Sequence, residues 1–194
     1  MPDGISRCRL AVPARMALEA KVFFTEASHE NQPSGRCGLQ RTFLVSAHAQ
    51  TSKNDLEFLI QAAAGSLYEV EAGKLAQGKG ESDSVRSFGR MLVKDHETAN
   101  ETLKELARSK EVSLPTAIPA DKQLRLDDLV IAKNFDREFV QQVGLDDHAS
   151  DIALFEKASK DADDSAIRAF ASKTLPVLKV HHQQAQKLKN SLEK

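Results

Sequence analysis

Four stretches of the chain carry acids and imidazoles at spacings that suit metal ligation or a buried polar network. They are "EVEAGK" with Glu69 and Glu71, "KDHETA" with Asp95 and His96, "DDHASD" with Asp147 and His148, and "KVHHQQ" with His181 and His182. On a helix, residues three, four and seven apart share a face. By that rule His96 falls on a stripe with Leu92, Ala99 and Leu103, and His181 on one with Thr174, Leu178, Ala185 and Leu188. His148 lines up with Ile152 and Phe155, and Glu69 with Ala62, Ser66 and Gly73. Burying several ionisable groups is costly unless they pair or bind a cation. Imidazole and carboxylate together suit zinc, copper, iron or manganese. The candidate ligands are therefore His96, His148 and His181, with Glu69 or Glu71 from the first helix, since Glu71 lines up equally with Ala64, Leu67 and Leu75. Glu71, Asp95, Asp136 and Asp147 are candidates for further ligands or for groups that hold the ring N–H of a ligating histidine. The same residues equally suit a hydrogen-bonded core network of His, Asp and water without metal.

Helices must position these groups. "NDLEFLIQAAAGSLYEVEAGKLAQGKG" opens on Asn54 with Glu57 three residues on, a capping-box pattern, and Gly78 and Gly80 end it. A second window starts at Ser82 or Asp83, carries Val85, Phe88, Leu92, Ala99, Leu103 and Leu106 on one stripe, and stops before Pro115. A connection with a short helix around 121–129 leads to a third long helix over 135–161. A fourth runs from Ser165 to about Leu192, with Pro176 one turn before His181 predicting a kink. The starts Val85-Arg86-Ser87-Phe88 and Ile167-Arg168-Ala169-Phe170 look alike. Short loops force antiparallel pairs, so the pattern predicts two helical hairpins joined into an all-α, antiparallel four-helix bundle. Bundle cores are where metal sites are built from facing helices.

Composition narrows the function. Lys+Arg number 27 and Asp+Glu 28, so no basic excess points to nucleic acid. No apolar run is long enough to span a bilayer. Both cysteines, Cys8 and Cys37, fall in the first forty residues, which excludes a Cys-based zinc site from the main domain. Residues 1–50 read as an irregular leader. Within it Phe43-Leu44-Val45 precedes Ala47-His48-Ala49, the small-residue ending of a secretory signal, although the apolar patch is short and some forty residues precede it. A degraded signal peptide and a plain leader are both open readings.

The ordered set "EVEAGKLA" (69–76), "VRSFGRMLVKDH" (85–96), "FDREFV" (135–140), "DDHASDIALFEKA" (146–158) and "IRAFASKTLPVLKVH" (167–181) resembles the DUF4142 family of bacterial proteins. The resemblance covers nearly all of the chain beyond the leader. It implies a ferritin-like four-helix domain over residues 54–192, in a periplasmic or envelope protein, cytoplasmic if the leader is not a signal. It also puts Glu69, His96, His148 and His181 at the family's recurrent polar positions. The Glu-x-x-His pairs of ferritin di-iron sites are missing from the bundle; the one match, Glu26 to His29, lies in the leader. That departure favours a His-rich site of the kind zinc or copper accepts over iron storage. The expected function is an exported, non-catalytic transition-metal binder (zinc, copper or iron) connected with stress. A metal-dependent oxidase or hydrolase is disfavoured because no separate nucleophile or glycine-rich loop stands beside the site. The alternative is a metal-free structural or interaction protein of the envelope. Neither nucleic acid nor a membrane-spanning segment is expected; a homodimer is compatible with the sequence, and no protein partner is indicated.

Overall fold

The computed structural model describes residues 50–194. The leader, its signal-like ending and both cysteines lie outside the described residues. Four long rods and one crossover helix make up the rest. Helix α1 (Lys53–Lys79) and helix α2 (Asp83–Ser109) form the first hairpin. Helix α3 (Ala120–Ile131) crosses over. The third rod is composite: α4 (Phe135–Phe139), a π-helical stretch (Val140–Asp147) and α5 (His148–Asp161). Helix α6 (Ser165–Leu192) closes the second hairpin and continues unbroken through Pro176. The result is the expected ferritin-like antiparallel four-helix bundle, with α1 along α2, α5 along α6, and α2 against α6.

The helix ends follow local chemistry with two departures from expectation. Ser52, not Asn54, caps α1, its hydroxyl accepting from the Asp55 N–H at 3.2 Å. Its side-chain oxygen thus satisfies one of the orphan donors of the first turn. Glu57 accepts from Gln61 Nε2 instead of closing a capping box. The third rod, expected as one regular helix, carries the wide π turns between Val140 and Asp147. Ser82 and Asp164 cap α2 and α6 by accepting from the N–H of Val85 and of Ala166 and Ile167.

The resemblance of the two hairpin starts extends into three dimensions. Asp136, at the start of the third rod, accepts the Glu81 and Ser82 N–H groups at 2.9 and 2.8 Å. Asp55, at the start of α1, accepts those of Asp163 and Asp164 at 3.0 and 2.9 Å. Arg86 donates to the Gly80 and Glu81 carbonyls, and Arg168 to those of Ala162 and Asp163. Phe88 meets Phe139 edge-on, and Phe170 meets Phe58 in the same way. Each hairpin loop is thus held by the first helix of the other hairpin, at opposite ends of the bundle. Two apolar cores fill those ends, one around Phe88, Leu92 and Phe139 and the other around Phe58, Leu103 and Phe170. Between them each rod contributes polar groups to a buried middle layer.

Candidate metal centre

Four side chains from four rods meet in that layer: Glu69 of α1, His96 of α2, His148 of α5 and His181 of α6, exposed by 1%, 5%, 0% and 1%. The stripes that carry them are the ones amphipathic spacing predicts, since each sits between residues of the two apolar cores on its own helix. The ring centroids of the three histidines are 5.2–5.7 Å apart pairwise. One ligating atom from each lies within 4.8 Å of the others.

The neighbours of the rings fix their tautomers. A carbonyl can only accept, so His148 donates Nδ1–H to the Val143 oxygen at 2.8 Å and leaves Nε2 bare. The Asp95 carboxylate, 3.0 Å from His181 Nε2, accepts in the same way and leaves His181 Nδ1 bare. Those two bare nitrogens face each other at 3.1 Å. For His96, the Ser66 hydroxyl gives its proton to the His96 carbonyl at 3.3 Å and accepts from Nδ1 at 3.4 Å. The remaining nitrogen, Nε2, is buried without a hydrogen-bond partner.

Electrostatics favour neutral rings. Burial lowers His96 well below the ordinary imidazole range, and the neighbouring His148 and His181 add to the effect. Burial brings His148 down to about 3 against the support of the Val143 carbonyl. Burial lowers His181 as well, while Asp95 works the other way. Glu69 lies behind the rings, Oε2 3.3 Å from His96 Nδ1 and Oε1 3.2 Å from His148 Nδ1. Neither oxygen has a hydrogen bond of good direction. Burial, then the charge of Asp151, pushes this carboxyl well above the usual range, and burial raises Asp151 itself to about 6.

The remaining candidates lie elsewhere or play other parts. Asp95 is one-third exposed and reaches the site as the acceptor for His181. Asp147 points away into a two-pronged contact with Arg125 of α3, at 2.6 and 3.1 Å. Asp136 is committed to the α1–α2 loop. Glu71 is on the surface beside Lys74, one position past the face that buries Glu69 and Tyr68. Three participants were not anticipated by the sequence reading: Asp151, Ser66 as a polar partner, and the Val143 carbonyl. A signal existed for two, because Asp151 is three residues after His148 and Ser66 three before Glu69, one turn along the same faces.

The residues fit a transition metal. One ligand nitrogen from each of the three imidazoles lies within 4.8 Å of the others, the far nitrogens of His148 and His181 are held by acceptors as in known metal sites, and His96 Nε2 is buried and otherwise orphaned. Such a centre would hold the ion through His96, His148 and His181, with the Glu69 and Asp151 carboxyls nearest behind them. Imidazole donors suit copper and zinc.

Among solved structures the fold is similar to "CopM in the Cu(II)-bound form", with a TM-score of 0.62, 16% identity, and coverage of 71% of this chain and 97% of that one. It is similar likewise to "CopM in the Cu(I)-bound form" (TM-score 0.62, 16% identity, 72% and 98% coverage). For "CopM in the Ag-bound form (by soaking)" the TM-score is 0.59, the identity 18% and the coverage 74% and 98%. At such identities the likeness concerns the fold alone. Sequence comparison with curated proteins gives no significant match. The sequence pattern of the family described as "Domain of unknown function (DUF4142)" matches residues 42–188, so the chain belongs to the DUF4142 family.

Proposed function

We propose that this protein binds a single transition-metal ion in its core through His96, His148 and His181, and that copper is the ion it takes in preference to zinc or iron. The observation that carries the reading is the 3.1 Å approach of His148 Nε2 and His181 Nδ1. With both ring protons committed to Val143 and Asp95, two lone pairs confront each other, an arrangement that a positive charge between or beside them would relieve. Burial makes a proton a poor candidate, because it disfavours the imidazolium. The preference for copper draws on the fold it shares with CopM, whose structures are described with copper and silver bound. An uncharged three-nitrogen set also suits a monovalent ion, which brings less charge into a buried site.

The rings are almost fully buried, which favours holding an ion over turning over a substrate. We also read the protein as exported, on the Ala47-His48-Ala49 ending of its leader. Mapping the mature N-terminus tests the export reading.

Metal content decides the main one. The untagged protein is purified, offered Cu(I), Cu(II) or Zn(II), dialysed and measured by mass spectrometry. One tightly held copper per chain is expected. Retention far below one equivalent of every ion would overturn metal binding, and preferential retention of zinc would overturn the assignment to copper.

A further inference from the structure

The second hairpin departs from the first by one residue, and that residue lies beside the metal centre. The Gly80 N–H bonds the Ala76 carbonyl and the Ala162 N–H bonds that of Ala158, so Ala76 and Ala158 are equivalent positions. Ten residues earlier stand Ser66 in α1 and His148 in α5. Further back, Phe58 and Phe139 are equivalent through their matching edge-on partners Phe170 and Phe88. Phe58 precedes Ser66 by eight residues, whereas Phe139 precedes His148 by nine. The additional residue is absorbed in the π turns of Val140–Asp147, while the helices on either side keep the frame of the first hairpin.

We propose that this inserted residue is a positioning device for His148. In an uninterrupted α-helix the Val143 carbonyl would accept a backbone N–H four residues on. Across the wide turn the His148 backbone N–H instead bonds the Leu145 carbonyl. The Val143 oxygen accepts from the imidazole five residues ahead, which donates Nδ1–H at 2.8 Å. That bond keeps the proton off Nε2, the nitrogen turned toward His181. The same stretch holds Gly144, where a Cβ would lie 2.6 Å from that of Ala185, one turn beyond His181. The wide turn therefore both sets the tautomer of His148 and lets α6 approach closely enough for His181 to meet it. π turns recur at functional sites elsewhere; here the turn carries a carbonyl that receives a ring N–H.

The functional consequence rests on the metal reading above, but the tautomer does not. Long-range proton–nitrogen correlation spectra of the metal-free, full-length protein are expected to show the His148 proton on Nδ1. Deleting Asp146, an exposed residue of the wide turn, restores the residue count of α1. In that variant helical content and cooperative unfolding should persist. The Nδ1 preference should be lost, and copper affinity should fall by at least roughly tenfold, the lower range for removing a group that orients a ligand. A wild-type spectrum with the proton on Nε2 overturns the proposal, as does a folded deletion variant with unchanged tautomer and affinity. Should the deletion prevent folding, the wild-type spectrum still decides. A wild-type protein that binds no metal yet carries the proton on Nδ1 overturns the functional reading and leaves the positioning role standing.

Discussion

His148 Nε2 and His181 Nδ1 face each other at 3.1 Å while the proton of each ring is held on its far side, by the Val143 carbonyl and the Asp95 carboxylate. A cation near this pair relieves the repulsion of two lone pairs and gains both as ligands. Metal binding should accordingly stabilise the fold, by about 2.7 kcal/mol at a free copper concentration one hundred times the dissociation constant. Thermal melts with and without copper measure it. The double variant His96→Leu, His181→Leu should fold and lose the copper-dependent rise in Tm. If it keeps that rise, copper binds elsewhere.

Asp95 is the most accessible part of the centre, and its carboxylate holds the His181 N–H. Asp95→Asn should leave the unfolding midpoint nearly unchanged and weaken copper binding by roughly 10–100-fold. Competition with a chelator of known affinity gives the ratio. Unchanged affinity would mean that His181 is oriented by its packing alone.

The pH dependence of the metal-free protein follows from two opposed groups. Burial holds His96, His148 and His181 below 6.5, so as pH falls the unfolded chain gains protons the folded one refuses. Their contribution is complete above about 6.5 and is lost as pH drops toward the folded values, about 3 for His148. Each ring can contribute a slope of at most about 1.4 kcal/mol per pH unit. Glu69 and Asp151 act oppositely: the folded state keeps protons the unfolded state releases, and this contribution fades as pH rises through about 6 for Asp151. The net expectation is acid sensitivity beginning below about 6.5, partly offset by the two carboxyls. Asp151→Asn removes its share of the offset and should steepen the loss, read from urea midpoints across the pH range. A shallower profile in the variant would contradict the assignment.

Asp55 and Asp136 each accept two backbone N–H groups from a loop of the other hairpin, and both are buried. Replacing either with Ala leaves those donors without their charged acceptor. We expect a cost of about 2–4 kcal/mol in each case, similar for the two because the arrangements match. Urea denaturation measures both. A loss at one position and none at the other would show that the two latches are not equivalent.

Gly73 and Gly89 bring the backbones of α1 and α2 into contact: a Cβ on either would lie 2.9 or 2.7 Å from the carbonyl oxygen of the other. Gly89→Ala must push the helices apart, at a cost of about 1–3 kcal/mol. A stability equal to wild type would mean the pair can separate without loss.

The inward histidines were legible because α2, α5 and α6 are amphipathic, so a spacing of three or four places a residue on one face. Helix α1 was harder to read. It buries small residues around much of its circumference, from Ala62 to Gly65 and again from Ala72 to Gly73, so periodicity could not separate Glu69 from Glu71. Asp136 was misplaced for a different reason. At the start of its helix it reads as an end charge, but its partners are backbone groups more than fifty residues away, and no local pattern reports them. Asp147 was read as a neighbour of His148, yet the crossover helix supplies Arg125 to the opposite side. The inserted residue in "VQQVGLDD" left no mark, since every residue in it is compatible with an ordinary helix. It emerges only when the rod is counted against its counterpart.

Asp55 and Asp136 give the molecule a reciprocal construction: α1 fastens the second hairpin's loop and α4 fastens the first. Neither half owns all of its own closures, so each is an incomplete object without the other. A chain severed in the 112–119 connection would leave two pieces with complementary needs, Glu69 and His96 on one and His148 and His181 on the other. The ion-binding centre would then report whether the halves had found each other again.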